Sequence, residues 1–325
     1  MAYTINELLK SINEQTNKLD ITGEPKELYL PVEYCIKNGG KRIRPLMTLI
    51  ACDMFGGNID QAMPSAIGIE IFHNFTLMHD DIMDNAPMRR GKPAVHKKWN
   101  SNTAILSGDV MFAIAYQYML KTPEKKLKRV LEVFNETVIQ ICEGQQYDMN
   151  FETLNNVSEA EYLNMIRLKT AVLPANSLKI GAIIANAPEN EINNLYLFGE
   201  LFGLAFQLKD DWLDIFGDED VFGKKTGGDI VANKKTWLYI KAFELANKNQ
   251  LKTLNEAFNN KTVHPKEKIN TVKNIYLQLE LNKLAIEQMN KYYKRAQDYL
   301  NKIKIPEESK SNLSHLLKML VERKF

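Results

Sequence analysis

Two short acidic runs in this sequence have the residue types and spacing to do chemistry: Asp80-Asp81-Ile82-Met83-Asp84 and Asp210-Asp211-Trp212-Leu213-Asp214. On a helix, the first and last acids of each run lie one turn apart on one face, while the middle acid sits about 100° round the axis. Hard carboxylate oxygens placed this way suit Mg²⁺, which keeps several waters and takes one or two carboxylates together with substrate phosphates. A solvated helix face would show the same letters. Two features favour the metal. Each run follows an apolar stretch, Ile71 to Met78 in one case and Leu201 to Leu208 in the other. Acids grouped beside buried surface also repel one another unless cations neutralise them.

Basic, glycine-bearing segments accompany both runs. Asn38-Gly39-Gly40-Lys41-Arg42-Ile43-Arg44-Pro45 precedes an apolar helix, Leu46 to Met54. Backbone amides near a helix start, with a lysine and forked arginines, make a diphosphate cradle. Arg89-Arg90-Gly91 follows the first acidic run by one loop, where an arginine pair can grip phosphate groups. The second run is followed by Gly223-Lys224-Lys225-Thr226-Gly227-Gly228-Asp229, with Lys234 beyond it. This is not a P-loop, since the GxxxxGK[ST] spacing fails and no strand precedes it. A lid carrying Lys224 and Lys234 onto a diphosphate fits it better. His73 lies two turns before Asp80 on the same face, and Gln207 lies three residues before Asp210. Gln145 and Asp148, three apart, face one polar pocket. Pro174 removes a helix hydrogen bond just after Lys169-Thr170 and leaves a carbonyl there unpaired.

The elements that must hold these residues are helical. Glycine (16) and proline (11) are sparse, no hairpin turn separates alternating strands, and the apolar period is that of a helix throughout. Helices are expected over residues 4–19, from Pro64 through the first acidic run, over 103–120, from Leu131 to Cys142 and beyond, over 158–186, from Asn193 to Asp214, and through most of 235–325. Ser158 and Glu161 form a capping box. Ile21 to Pro31 reads as a connection and Lys121 to Arg129 as a basic break. With 325 residues, 45% of them hydrophobic, the chain can bury one large core, read as a single domain over 1–325. Lys plus Arg (42) nearly balances Asp plus Glu (40), so the charge offers no argument for nucleic acid. Cys35, Cys52 and Cys142 follow no ligand or disulfide spacing and read as buried thiols of a reducing compartment. No run is long and apolar enough to span a membrane and no signal peptide is evident, so a soluble cytoplasmic protein is expected.

Taken together and in order, these segments resemble the trans-isoprenyl diphosphate synthases, the farnesyl and geranylgeranyl diphosphate synthase family. The resemblance rests on Gly39 to Pro45, Asp80 to Asp84 with Arg89-Arg90-Gly91, Gly144 to Asp148, Lys169-Thr170, Asp210 to Asp214 and Gly223 to Asp229, and it covers nearly the whole chain. It implies an all-α bundle around a central cavity, usually a homodimer, with three Mg²⁺ per site: two on Asp80 and Asp84, and a third on Asp210 with Asp214 as a further ligand. Asp81 and Asp211 belong to the same catalytic acid set. The resemblance implies that Arg89, Lys169, Lys224 and Lys234 contact the diphosphate of an allylic substrate (dimethylallyl, geranyl or farnesyl), and that Gln207 and Thr170 lie near its reacting carbon. Lys41, Arg44, His73 and Arg90 then hold isopentenyl diphosphate. Metal and lysines stabilise the departing diphosphate, an allylic cation forms, and the isopentenyl double bond attacks it.

Product length is read from the residues before the first acids. Phe75, five before Asp80, and Phe72, eight before, plug the tunnel into which the tail grows, and Thr76 leaves more room than a second aromatic would. The expectation is geranylgeranyl diphosphate (C20), with farnesyl diphosphate (C15) as the alternative. Rival readings are a longer-chain synthase, a class I terpene cyclase and the non-catalytic subunit of a heteromeric synthase. The second DDxxD argues against the cyclase, and the six retained aspartates against the inactive subunit.

Overall fold

The computed structural model describes residues 3–154, 156–218, 226–260 and 263–322. These are almost wholly helical; the only strands among them are the two-residue pair Met88–Arg89 (β1) and Lys92–Pro93 (β2). The described residues group into two compact units. One takes its members from Met1–Asn135, Asn176–Leu195 and Lys304–Leu313, the other from Glu136–Ala175, Tyr196–Ile303 and Ser314–Phe325.

The first unit contains α1 (Ile5–Asn17), α2 (Lys26–Lys37), α3 (Ile43–Met54), α4 (Ile59–Met83), α5 (Val95–Lys98) and α6 (Ser101–Met119). Helix α1 starts in a capping box between Thr4 and Glu7. Helix α4 is apolar nearly all round and buried accordingly: Ala66, Ile67, Ile69, Ile71 and Phe72 all lie within its core, packed against α3 and α6. Each large side chain so buried contributes about 1.5–3 kcal/mol.

Two prolines alter the expected boundaries. Helix α4 begins at Ile59, not at Pro64, because Asn58 caps it by accepting the Asp60 N–H at 2.8 Å. Pro64 then sits in the second turn. Likewise α2 runs through Pro31, in a stretch that reads as a connection; Pro31, Val32 and Ile36 are buried together, which offsets the one hydrogen bond the proline forgoes. Lys121 to Arg129 is a break only over its first residues, since α7 (Glu124–Thr153) starts at Glu124.

The second unit is built on the later part of α7, α8 (Glu159–Ile166), the first residues of α9 (Val172–Ile184) and most of α10 (Glu189–Phe216). Later helices, Trp237–Leu245, Lys248–Asn259, Pro265–Gln278 and Leu281–Lys302, complete it. Ser158 and Glu161 cap α8 reciprocally, as their spacing predicts. Between α8 and α9 the chain forms a π-helical segment over Arg167–Ala171. All three cysteines are free, but only Cys52 is buried; Cys35 is partly so, and Cys142 is exposed because it lies on the solvent face of α7, which corrects the expectation of buried thiols. Among the described residues no helix is long and apolar enough to cross a membrane.

Candidate active site

In the first unit the acids stand at the C-terminal end of α4. The Asp84 N–H donates to the Asp80 carbonyl at 2.8 Å, so the helical turn that puts both acids on one side is intact at its last step. Asp81 points inward instead, 3% exposed, and accepts hydrogen bonds from Arg89 Nε at 2.9 Å and from Arg89 Nη2. Arg89 and Arg90 lie on the β1–β2 hairpin, where Met88 pairs with Pro93 and Arg89 with Lys92. Arg90 and Gly91 at its turn both have positive φ, 51° and 75°, as a tight type I′ connection requires. The stretch read as an arginine loop is therefore a strand pair that fixes both guanidinium groups.

A second set of cations surrounds His73. Arg44 Nη1 lies 3.0 Å from His73 Nε2. A guanidinium only donates, so that ring nitrogen accepts and the proton resides on Nδ1. Burial, then Arg44, Arg90, Arg89 and Arg42, hold the imidazole well below its usual pKa, and the ring is neutral at pH 7. Arg90 donates to the Gly39 carbonyl and, at 3.3 Å, to Asn74 Oδ1. Arginines arranged round a neutral donor form a pocket for a multiply charged anion. Lys41, three residues before Arg44, is exposed.

Arg42 corrects one reading. It belongs to the basic run but does not face solvent or ligand: its side chain is buried against Glu70 and donates also to the Ile36 carbonyl at 2.9 Å. Asn74 Nδ2 donates to Glu70 Oε1 at 3.1 Å. Glu70 and Asn74 escaped the sequence reading, although there was a signal. Glu70, Asn74 and Asp81 are spaced four and seven along an apolar helix, one polar line on a face that otherwise buries hydrophobes.

One to three turns before Asp84, an aromatic cluster closes under the acids. Phe75 lies 5.4 Å from Phe112 and 4.7 Å from His79. Phe72, fully buried, lies 5.3 Å from Phe134, with Tyr116 joining Phe112 to Phe134. Thr76 turns its hydroxyl back to the His73 carbonyl at 2.8 Å.

In the second unit a cavity of about 110 Å³ collects Asp148, Lys169, Thr170, Gln207, Asp211 and Lys234. The π-helical segment presents two of them. In α register the nitrogen of Pro174 would face Thr170 O, and in π register Lys169 O; lacking N–H, it can satisfy neither. Two glycines let neighbouring helices touch this turn: a Cβ on Gly144 of α7 would lie 2.3 Å from Lys169 N, and one on Gly203 of α10 would lie 2.4 Å from Ala171 Cα. Lys169 Nζ reaches Asp148 Oδ2 at 2.6 Å.

The middle acid is again buried. Asp211, 5% exposed, accepts from Gln207 Nε2 at 2.9 Å and from the hydroxyl of Tyr162, a residue the motifs had not singled out. Thr170 donates in turn to Gln207 Oε1 at 3.0 Å. Burial pushes Asp211 up to about 6, against the pull of Tyr162 and Gln207, which leaves it mostly ionised at neutral pH. Burial also raises the Tyr162 phenol far above its usual range, so it stays the donor. Asp214 caps the short helix Gly228–Val231, accepting the Asp229 N–H at 3.0 Å. Burial, with Asp214 and Asp211 nearby, raises Asp229 well above the carboxylate range. Lys224 lies outside the described residues.

Both acidic runs thus divide in the same way. The middle carboxylate is buried and committed to side-chain donors, and the first and third remain at least partly accessible. Among the described residues no three His, Cys, Asp or Glu side chains form a ready metal cage. One or two carboxylates on a helix end match a cation that draws its other ligands from water and phosphate, which is the habit of Mg²⁺.

A family model described as Polyprenyl synthetase matches residues 25–276. The chain is 39% identical over 322 residues to the geranylgeranyl diphosphate synthase of Sulfolobus acidocaldarius, covering 98% of this chain and 96% of that one. It is 37% identical over 301 residues to the geranylfarnesyl diphosphate synthase of Aeropyrum pernix, 89% of this chain and 92% of that one. A crystal structure of a geranylgeranyl pyrophosphate synthase superposes with a TM-score of 0.92 at 43% identity, covering 99% of this chain and all of the other. This chain belongs to the polyprenyl synthetase family, and its fold is the all-α fold of those synthases.

Proposed function

We propose that this chain is a short-chain isoprenyl diphosphate synthase that adds isopentenyl diphosphate to allylic diphosphates, head to tail, and ends at C20. The observation that carries the reading is the cavity of the second unit, where lysines, the Thr170 hydroxyl and the Gln207 amide gather beside the second acidic run. Lys169 and Lys234 bind the diphosphate of the allylic substrate, with Arg89, and with Lys224 as part of a closing lid. Asp80 and Asp84, with Asp210 and Asp214, would hold the Mg²⁺, three ions per site, which when bound would supply positive charge for the departing diphosphate. Thr170, Gln207 and the Lys169 carbonyl turn their oxygens to the carbon that becomes cationic. Lys41, Arg44, His73 and Arg90 hold the isopentenyl diphosphate. The proton lost after condensation goes to the departing diphosphate, so no separate protein base is required.

The C20 length is favoured by Phe75 and Phe72 in the aromatic cluster and by relatives that are named geranylgeranyl diphosphate synthase. The reading includes a homodimer working in the cytoplasm. It is tested by incubating the purified chain with isopentenyl diphosphate and each allylic primer in Mg²⁺ and weighing the products. C20 diphosphate is expected. A C25 or longer product would overturn the chain length, and hydrocarbon from an allylic substrate alone, or no product, would overturn the activity.

A further inference from the structure

Thr170, Gln207, Asp211 and Tyr162 form one unbroken line of hydrogen bonds in the second unit: Thr170 Oγ1 to Gln207 Oε1 at 3.0 Å, Gln207 Nε2 to Asp211 Oδ1 at 2.9 Å, and the Tyr162 hydroxyl to Asp211 Oδ2. The line has a direction, and its buried end sets it. Asp211 accepts at both of its oxygens, at Oδ1 from the Gln207 amide and at Oδ2 from the Tyr162 hydroxyl. Gln207 therefore turns its NH₂ to Asp211, which leaves its carbonyl oxygen facing Thr170. That oxygen takes the one proton Thr170 has. With its proton committed, the hydroxyl has only lone pairs to offer to anything else in the cavity that Thr170 and Gln207 both line.

We propose that Tyr162 and Asp211 are positioning residues for allylic ionisation: they fix the polarity of this line, so that the Thr170 oxygen meets the developing cation with its lone pairs. The inference rests on the proposed prenyl transfer. Both residues line the same cavity, and the role assigned to them is exerted through Gln207 on the Thr170 hydroxyl. Without the Tyr162 donor, Asp211 can rotate away from Gln207, and the amide is free to turn over. A turned amide presents NH₂ to Thr170, whose hydroxyl then points its proton outward, the wrong sign for a cation. The arrangement is of the preorganised kind, with dipoles aimed before the charge forms.

The test uses Tyr162→Phe in the full chain, which removes one oxygen and no packing volume. Two ligands are compared: an allylic diphosphate with a protonated amine in place of the carbon that becomes cationic, and an unreactive thiolodiphosphate of the uncharged substrate. Tyr162→Phe is expected to weaken the ammonium ligand about tenfold, the worth of one hydrogen bond to a charged group, and to lower kcat by a similar factor. The thiolodiphosphate affinity and the KM for isopentenyl diphosphate should move less than about twofold. In a Thr170→Val background, where no hydroxyl remains to be oriented, the same substitution should cost less than about twofold for either ligand. Equal weakening of both ligands, or the same loss with and without the Thr170 hydroxyl, would overturn the positioning role while leaving prenyl transfer intact. A wild-type chain that binds neither ligand and forms no prenyl product would overturn the activity on which the inference rests.

Discussion

Arg42 and Glu70 form an ion pair inside the first unit, each side chain 5% exposed, with Arg42 Nη1 2.5 Å from Glu70 Oε1. The pair ties the end of α2, through the Ile36 carbonyl, and the start of α3 to the middle of α4. Asn74 extends it to Arg90. The anion pocket around His73 is thereby built on a buried polar frame. Removing one partner strands a charge. Glu70→Ala is expected to destabilise the protein by about 3–5 kcal/mol, and Arg42→Met with Glu70→Leu to recover most of that loss. Urea unfolding midpoints of the three proteins check it; equal losses in the single and double variants would show that the frame contributes packing alone.

Arg44 beside His73 sets a pH dependence. The folded pKa of His73 is depressed, chiefly by burial and then by the arginines, whereas in the unfolded chain it is about 6.5. Below that value the unfolded chain takes up a proton that the folded one refuses. The stability this position contributes is complete above about pH 6.5 and drains away as pH falls towards the folded value, at no more than about 1.4 kcal/mol per pH unit. His73→Gln should lose less stability than wild type between pH 7.5 and pH 5.5. Parallel urea midpoints over that range would remove His73 as the source.

Phe75 and Phe72 differ in what they can report. Phe75 is only partly buried, with its ring against Phe112 and His79, whereas Phe72 is closed in by Phe75, Phe112 and Phe134. Phe75→Ala is expected to lengthen the product by at least one five-carbon unit at modest cost in stability. Phe72→Ala opens a cavity in the core and should cost about 3–5 kcal/mol. Product mass and thermal midpoint separate the two effects; an unchanged product in Phe75→Ala would show that Phe75 is not the floor.

Much of this was legible in the sequence, because helical period and capping are local. The box at Ser158 and Glu161, the acidic helix ends and the basic segments all depend on residues a few positions apart. Pro64 and Pro31 misled because proline signals an end only when tertiary burial does not outweigh a single lost hydrogen bond. The π-helical turn at Arg167–Ala171 was foreshadowed by Pro174, but its register depends on α7 and α10 approaching at Gly144 and Gly203, which lie far off in sequence. The inward turn of Asp81 and Asp211 was implicit in their angle round the helix. Their partners, Arg89 and Tyr162, come from other elements, and only the folded chain brings them together.

Gly144 is the position where the smallest change should reach the proposed chemistry. A methyl group there would lie 2.3 Å from Lys169 N and 2.8 Å from the Leu168 carbonyl carbon, both backbone atoms that cannot rotate aside. Gly144→Ala must therefore move α7 or the π turn by a substantial fraction of an ångström or more. Lys169 and Thr170 sit on that turn, and Asp148, which holds Lys169 at 2.6 Å, sits one helical turn further along α7. Helix propensity alone would favour alanine by about 1 kcal/mol, so a loss of function could not be blamed on a weaker helix. The expected result is a fall in kcat of about 100-fold, the usual cost of an ångström-scale misplacement, with far-UV circular dichroism unchanged. The KM for isopentenyl diphosphate should stay within about twofold, because that substrate is assigned to residues of the first unit. Wild-type turnover in Gly144→Ala would mean that the π turn tolerates displacement, and that the placement of Lys169 and Thr170 is not what limits the reaction.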